Sequence, residues 1–293
     1  MDTFPQQLAD NLWALGNYHY DLYLVRGASR TALVEVGVSA VVDEVLRQLE
    51  ELGAEPDYLV VTHPHADHLT GLAGLRERFP EAAVLAGAGT REFAEHPKAA
   101  RNLVQEDRYI HEAMAEKGYP PGRSPVDAPP SLSDARVVGE GDRLDLGGVT
   151  VGFLEAKGHS PGHLAVEVPE ASALLVSDAV GFPFPGRGFF PMFFTGYRDY
   201  LLTLERIGAI APRVLGFGHQ GFALDDDVPR LVDEAAGAAR ALLDRVLAHE
   251  GDDAALAERL FDECYRDELT INSDGNIRGC VSLLIKRCRQ AAG

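Results

Sequence analysis

The chain has 293 residues, of which 46% are hydrophobic, and a formal net charge of −18 at pH 7. This length is enough for one large core plus an extension, and the hydrophobic content excludes a disordered chain. The 45 acidic residues against 27 basic ones disfavour a nucleic-acid partner, because such a protein must neutralise phosphates with Lys and Arg. The basic cluster at residues 286–289 is expected to be a favourable charge near a helix end.

Membrane and secretion signals are not evident. The sequence has no apolar stretch of roughly eighteen or more residues, so no membrane span or membrane partner is expected. Its first residues lack a basic and apolar leader, so we expect no signal peptide. Cys264, Cys280 and Cys288 lack C-x-x-C spacing and are interpreted as reduced thiols, which predicts a cytoplasmic location. Cys280 is also a candidate to line a pocket.

Apolar runs and turn residues predict the elements of the first half of the chain. Strands are expected at residues 12–15, 22–25 and 31–36, and a helix runs from Ser39 to about residue 52. A buried strand at 58–61, a helix to about 79 and a strand at 82–86 follow. Residues 90–117 are predicted to be helical, 119–133 a proline-rich loop, and 137–155 β structure around a Gly147-Gly148 turn.

The second half of the chain ends in helices. Apolar strands are predicted at residues 174–177 and 214–217, with a helix at 197–207 between them. Beyond residue 225 the apolar spacing is helical throughout, with acidic residues opening the first helix. The last helix carries an apolar stripe that includes Ile277, Val281 and Leu284. Mixed α/β structure followed by an all-helical tail is therefore expected.

Three histidines and an aspartate directly follow the predicted strand at 58–61. They are His63, His65, Asp67 and His68, in the order H-x-H-x-D-H. A loop between a strand end and a helix start lets such side chains converge without disrupting the backbone ladder. Imidazole and carboxylate ligands suit zinc, iron or manganese. His63 and His65 can bind one ion, and Asp67 and His68 can reach a second.

Three further candidate ligands also follow apolar strands. His159 lies in a glycine-rich turn at residues 158–163, Asp178 ends the strand at 174–177, and His219 follows the strand at 214–217. In open α/β sheets, sites form at the carboxyl ends of strands. Any one of these residues alone is more simply a capping or core polar group. Together with the first cluster, they predict a metal site.

These segments resemble the signature of the metallo-β-lactamase superfamily. The match consists of H-x-H-x-D-H at 63–68, G-H-S-P-G-H at 158–163, Asp178 and His219, and it covers about residues 10–222. The resemblance implies an α/β (α+β) fold, a four-layer αββα sandwich. It implies a first metal on His63, His65 and His159, a second on Asp67, His68 and His219, and a bridging Asp178. His163 is expected to support the ligands without binding metal.

The resemblance also implies a domain organisation and cofactors. A metallo-β-lactamase-like domain is expected at residues 1–224, with a helical insertion at about 90–133, and a helical extension at 225–293 that caps the site. The insertion is either surface decoration or a lid. The helical tail and insertion are similar to those of the quinolone-signal response proteins, which are thioesterase-like members of the superfamily. Two divalent metal ions are implied, with zinc favoured over iron or manganese.

An aromatic segment punctuated by glycine and proline follows Asp178, at residues 179–194. Such an apolar loop is either packed under the C-terminal helices or forms a wall for an acyl or aromatic substrate group. Arg187 could meet a substrate carboxylate or simply be solvated, and His19 could face the pocket. The candidate pocket residues are Phe182, Phe184, Phe189, Phe193, Arg187, Asn276 and Cys280.

The predicted chemistry is attack of a metal-bridging hydroxide on a carboxylic ester or thioester with an apolar acyl part. Asp67 and His68 are the candidate catalytic residues, and Asp67 could orient the hydroxide. The partner is thus a small-molecule ester or thioester, and the sequence leaves the oligomeric state open. The alternatives are a regulatory or signalling protein with incidental hydrolysis, or a lactonase. An iron-dependent sulfur dioxygenase and a nuclease are less favoured.

Overall fold

Two β-sheets face each other at the centre of the molecule, in a computed structural model that describes residues 4–120 and 122–292. The N-terminal half forms a seven-stranded sheet in sequence order. Its first four strands are antiparallel neighbours, and the fourth to seventh are parallel. The strands are β1 (Gln6–Ala9), β2 (Leu12–Asn17), β3 (Tyr20–Arg26), β4 (Thr31–Val34), β5 (Tyr58–Val61), β6 (Ala83–Gly87) and β7 (Arg136–Val138).

The second half of the chain forms a six-stranded sheet and a separate hairpin. The sheet contains β8 (Arg143–Asp145), β9 (Thr150–Glu155), β10 (Leu164–Val168), β11 (Ala173–Ser177), β14 (Val214–Phe217) and β15 (Phe222–Leu224). The hairpin contains β12 (Phe182–Phe184) and β13 (Gly188–Phe190). The spatial order of the sheet is β15-β14-β11-β10-β9-β8, and the β11–β14 pair is parallel. This parallel pair places the ends of β11 and β14 at the same edge.

Helices cover the outer face of each sheet. Those on the first sheet are α1 (Val42–Glu51), α2 (Leu72–Arg78), α3 (Thr90–Glu95) and α4 (Pro97–Glu116). Those on the second sheet are α5 (Tyr197–Ile210), α6 (Asp227–Ala248), α7 (Asp253–Cys264) and α8 (Asp274–Ala292). A third apolar cluster, which includes Tyr23, Val60 and Leu175, fills the space between the sheets. The four-layer αββα sandwich predicted from the sequence is therefore confirmed.

The structure corrects the predicted elements in two places. The helical stretch at 90–117 is two helices, because Pro97 occupies the first turn of α4 and His96 before it is extended (φ −65°, ψ 126°). Pro restricts the preceding residue to extended backbone, which ends α3 there. The aromatic segment after Asp178 is not entirely loop, since β12 and β13 pair in it with Phe182 opposite Phe190. Within the described chain, no helix combines the length and apolarity that crossing a membrane requires.

Candidate metal centre

The seven predicted ligands meet where strands of both sheets end. His63 and His65 follow β5, and a 3-10 turn at Ala66–His68 carries Asp67 and His68. The remaining ligands come from the second half of the chain: His159 between β9 and β10, Asp178 immediately after β11, and His219 after β14. The carboxyl edges of the two sheets thus supply one common site.

A first group is formed by three histidines and one aspartate. His63 Nε2 lies 3.1 Å from His65 Nδ1, and His159 Nε2 lies 3.2 Å and 3.1 Å from these two nitrogens. Asp178 Oδ2 is 3.7 Å from His63 Nε2 and 3.6 Å from His159 Nε2. These ligand atoms all lie within 4.8 Å of one another, so one ion could contact all of them.

A second group lies beside the first and shares Asp178 with it. His68 Nε2 is 3.3 Å from His219 Nε2, and Asp67 Oδ2 is 3.4 Å from His219 Nε2. Asp178 Oδ2 lies 3.4 Å from His68 Nε2, and its Oδ1 lies 3.4 Å from His219 Nε2. Asp178 therefore lies beside both groups.

The outer nitrogen of each of three ligand imidazoles is held by an acceptor. His159 Nδ1 donates to Met192 O and His219 Nδ1 donates to His19 O, both at 2.8 Å. His68 Nδ1 lies 3.0 Å from Glu35 Oε2. Such contacts fix the tautomer and leave the Nε2 lone pair directed into the site. His19 thus supports the centre through its backbone, and its side chain is not among the cavity residues described below.

Glu35 is a candidate site residue that the sequence analysis did not identify. It is buried, and besides His68 its carboxylate accepts a hydrogen bond from Thr62 Oγ1 at 2.7 Å. Glu35 follows β4, which pairs in parallel with the ligand-bearing β5, so the strand-end rule that found the other acids also applies to it. Glu35 has φ 73° and Ser177, next to Asp178, has φ 51°. Left-handed backbone at such residues is strained and concentrates at functional sites.

The electrostatics of the site suit cations. Burial lowers the pKa of His63 and His159 well below the usual range, so their imidazoles are neutral and can act as ligands. Burial raises the pKa of Asp178, but His68 and His219 outweigh it and hold that pKa well below its usual value. Asp178 Oδ1 is buried and accepts no hydrogen bond from the described residues. Converging neutral nitrogens and an unsatisfied carboxylate oxygen fit divalent metal ions.

Neighbouring atoms lie too close to Gly218 and Gly158, beside the ligands, to leave room for a larger side chain. A Cβ on Gly218, next to His219, would lie 2.6 Å from His68 Cε1 and 2.9 Å from Asp178 Oδ1. A Cβ on Gly158, next to His159, would lie 2.4 Å from the Tyr200 backbone, and Gly158 has φ 110°. His163, five residues later, is buried and stacks on His63 with ring centroids 4.7 Å apart. His163 belongs to none of the candidate ligand groups among the described residues, and its supporting role stays a prediction.

A cavity of about 540 Å³ opens onto the candidate ligands. Its apolar lining includes Phe190, Met192 and Phe194 from the segment after Asp178, and Leu269 and Ile277 from the C-terminal helices. The insertion lines the opposite side with Phe93, Leu103 and Ile110. The insertion and the C-terminal extension therefore both form walls of the cavity beside the candidate metal centre.

The structure brings only part of the predicted pocket together. Phe182, Asn276 and Cys280 line the cavity, whereas Phe184, Phe189, Phe193 and Arg187 are not among its described lining residues, so these four predictions are corrected.

Local packing explains where these four side chains go. Phe193 is fully buried against Tyr197 and Tyr200, with ring centroids 5.2 Å and 5.7 Å away. Phe189 packs on Phe217 at 6.1 Å. The Arg187 guanidinium lies 5.0 Å from the Phe184 ring and pairs with Asp267 and Glu268, both at 2.6 Å. Alternation along β13 turns Phe189 away from the face on which Phe190 and its partner Phe182 lie, and the contacts above hold the other three side chains outside the cavity.

Comparison with known proteins agrees with this αββα sandwich fold. The family model "Metallo-beta-lactamase superfamily" matches residues 16–219, and the chain belongs to that family. The relatives that the chain resembles include proteins named as hydroxyacylglutathione hydrolases and one named as a coenzyme F420H(2) oxidase.

Several relatives and solved structures are similar to the chain. A hydroxyacylglutathione hydrolase from Ruegeria pomeroyi is 28% identical over 56% of this chain and 48% of its own length. The metallo-beta-lactamase fold-containing protein ST1585 from Sulfurisphaera tokodaii is 26% identical over 73% of this chain and 76% of its own. The structure of a metallo-beta-lactamase family protein from Thermus thermophilus superposes with a TM-score of 0.69 at 22% identity, covering 98% of this chain and 95% of that one.

The extent of these matches limits what they imply. The chain spans about half or less of the length of the hydroxyacylglutathione hydrolase and of a coenzyme F420H(2) oxidase from Methanothermobacter marburgensis. The structural superposition, at its low identity, establishes the fold alone.

Proposed function

We propose that the protein is a dinuclear metal-dependent hydrolase that cleaves a carboxylic ester or thioester with an apolar acyl part. One observation carries the proposal: two ligand groups share Asp178 at the base of a largely apolar cavity of about 540 Å³. His63, His65 and His159 would hold one ion, and Asp67, His68 and His219 the other. Zinc is the favoured metal, with iron or manganese as alternatives, because the ligands are mainly imidazoles with carboxylates.

The protein's own residues prepare the site for carbonyl hydrolysis. When bound, two divalent ions would supply a water of lowered pKa and polarise the substrate carbonyl. Asp67 lines the cavity, and its side chain is 13% exposed, so its carboxylate is placed to orient an attacking water. Glu35 and Thr62 fix the imidazole of His68 from behind. The surrounding Phe182 and Phe194 limit the access of bulk water and offer contact area to an acyl chain.

The extension at 225–293 is proposed to cap this cavity, and the insertion at about 90–133 to form its facing side. Cavity-lining residues of α8 include Asn276, Ile277 and Cys280, and those of α4 include Leu103 and Glu106. Glu106 Oε2 accepts a hydrogen bond from Ser273 N at 3.1 Å, which ties the two elements together across the cavity. Substrate entry would therefore depend on both.

The similarity to hydroxyacylglutathione hydrolases supports a thioester among the candidate substrates, since those proteins are thioester hydrolases. The match covers 48% of the Ruegeria protein's length, so its activity is carried to this chain only as a proposal. The regulatory alternative differs in its outcome: a signalling protein would turn over no metabolite efficiently despite an intact metal centre.

The test is metal analysis combined with a panel of an ester, a thioester, a lactone and a phosphodiester. We expect about two ions per chain, because His63, His65 and His159 with Asp178 form one ligand group and Asp67, His68 and His219 form another beside it. Turnover is expected on the ester and thioester, and His68→Ala should lower it by orders of magnitude. His249→Ala, which removes a histidine outside the cavity lining, should not.

Two results would contradict the proposal. Cleavage of phosphodiesters without any carbonyl substrate would show that the reaction class is wrong. A metal-loaded protein that turns over no member of the panel would favour the regulatory alternative.

A further inference from the structure

Arg287 is a half-buried cation in the cavity wall without an acidic partner. Its Nε donates to Phe194 O at 2.7 Å and its Nη1 donates to Gln290 Oε1 at 2.8 Å, and both acceptors are neutral. No carboxylate of residues 4–120 or 122–292 forms an ion pair with it. By contrast, Arg289 on the same helix pairs with Asp253 at 2.8 Å. Arg287 is thus held in place by neutral groups, and its charge is not neutralised.

A guanidinium offers its donors in a rigid fork that matches carboxylate and phosphate oxygens. Two of its donor positions are occupied by neutral acceptors, which fix the plane of the group. Its Nη2 donates no hydrogen bond to a described residue, so a free edge of the fork remains at the cavity.

The position of Arg287 relates it to the candidate metal centre. Phe194, whose carbonyl holds the guanidinium, packs its ring 5.3 Å from the His159 ring and 6.1 Å from the His65 ring, measured between centroids. Phe194 therefore connects Arg287 to two candidate ligands, because it contacts all three residues. A molecule with its reacting carbonyl at the metal centre could reach this guanidinium with a second polar group.

Lys98 adds a second unpaired charge to the same cavity. It is exposed in the first turn of α4, lines the cavity, and forms no ion pair with a described residue. The acidic residues of the cavity have other partners. Glu106 accepts hydrogen bonds from the backbone and side chain of Ser273, while Asp67 and Asp178 face ligand imidazoles. The two cations are therefore available to a bound molecule.

We propose that the substrate carries an anionic group, a carboxylate or a phosphate, at a distance from its reacting carbonyl. Arg287 binds this group, and Lys98 adds electrostatic attraction from the α4 side of the cavity. The inference rests on the proposed function and narrows it to acidic acyl esters or thioesters. The anion would replace the missing acidic partner of Arg287. The apolar surface around it would contact the chain between the two polar ends.

The test compares thioesters of an uncharged thiol whose acyl chains end in a carboxylate, a phosphonate or a neutral carboxamide, at several matched chain lengths. Wild-type protein should favour one of the two anionic series over the carboxamides by about tenfold or more in kcat/KM, mainly through KM, because a charge-assisted hydrogen bond is involved. The favoured anion distinguishes a carboxylate from a phosphate substrate.

Variants locate the effect. Arg287→Gln should bring the anion-to-carboxamide ratio close to one, and Arg287→Lys should retain part of it. Lys98→Gln should lower the ratio less, and its effect should fade at high salt because Lys98 is exposed. Lys286→Gln is the matched control, since this exposed lysine precedes Arg287 and is not in the cavity lining. It should keep the wild-type ratio.

Each other outcome is decisive. Equal hydrolysis of the anionic and neutral series by wild type would overturn the inference and leave the proposed function intact. So would a loss of preference in Lys286→Gln as large as in Arg287→Gln. If no thioester is cleaved, the proposed function fails. Calorimetric titration of metal-loaded protein with a dicarboxylate and its monoamide then decides the inference, and equal affinities would refute it. Should Arg287→Gln fail to fold, Arg287→Lys and Lys98→Gln carry the comparison.

Discussion

The ligand loop after β5 and the cavity wall opposite it are built in different ways. Four candidate ligands lie within residues 63–68, and each remaining one follows a strand whose end reaches the same edge. The wall instead joins α4 and α8, which are far apart in sequence. Ser273, just before α8, donates its backbone N–H to Glu106 of α4, and the hydroxyl of Tyr265, just after α7, lies 3.3 Å from that of Tyr109 on α4. Local backbone therefore determines the ligands, and tertiary packing determines the wall.

The largest effect is expected from the ligand that joins the two groups. Asp178→Ala removes a carboxylate that lies beside both, at 3.6 Å from His159 and 3.4 Å from His68. Metal content should fall at both sites, from about two ions per chain to below one, with loss of turnover. Elemental analysis after purification without chelator measures this. Asp244→Ala, at an exposed acid on α6, serves as the control and should retain wild-type content.

Unchanged occupancy in Asp178→Ala would show that the two groups bind ions independently. The bridging role would then be wrong, although the seven-ligand set could stand.

Substitutions in the cavity wall should lower the free energy of unfolding where the side chain is buried. Leu284 and Leu283 are neighbours on α8, but Leu284 is 1% exposed within the apolar cluster under the second sheet, and Leu283 is 39% exposed. Leu284→Ala should lower the free energy of unfolding by about 2–5 kcal/mol, because it leaves a cavity. Leu283→Ala should cost far less. Denaturant unfolding of the metal-loaded proteins makes the comparison, and equal effects would mean that α8 does not pack as described.

The same contrast explains how much could be predicted from the sequence. The strands carrying the ligands are short apolar runs followed by His or Asp, so both the sandwich and the ligand set could be recognised. Phe189 and Phe182 lie in one aromatic segment, yet only Phe182 lines the cavity. The choice depends on the β12–β13 hairpin register, which an apolar segment with several glycines and prolines does not specify. Glu35 could have been predicted from the sequence, because it follows a strand end as the other acidic candidates do.

Glu35 provides a finer test of how the ligands are positioned. Burial lowers the pKa of His68, but Glu35, Asp178 and Asp67 outweigh it and hold that pKa well above the usual value. Glu35→Gln keeps the shape but removes a negative charge 3.0 Å from His68 Nδ1. Metal affinity should fall by about 10–100-fold, as for other residues that orient metal-bound histidines. Competition with a chelator of known affinity measures it, and Glu35→Asp should recover part of the loss.

If Glu35→Gln binds metal as tightly as wild type, Glu35 serves only the packing beneath the site. Its hydrogen bond with Thr62 would then be its main role.

The smallest effect is expected from narrowing the wall without disturbing the ligands. Cys280 lines the cavity. Burial, together with the nearby Glu106 and Asp67, raises the pKa of its thiol to about 12. The thiol is therefore an uncharged group of the wall and not a nucleophile. Cys280→Trp fills part of the cavity from α8. Turnover of long acyl thioesters should fall by about tenfold relative to acetyl thioesters, since pocket shape discriminates by roughly this amount per small group. Ser282→Trp, exposed on the same helix, should leave the ratio unchanged, and metal content should stay at the wild-type level in both. An equal loss for short and long acyl groups would mean that the cavity beside Cys280 is not where the acyl chain lies, and the wall would then have to be assigned to the α4 side.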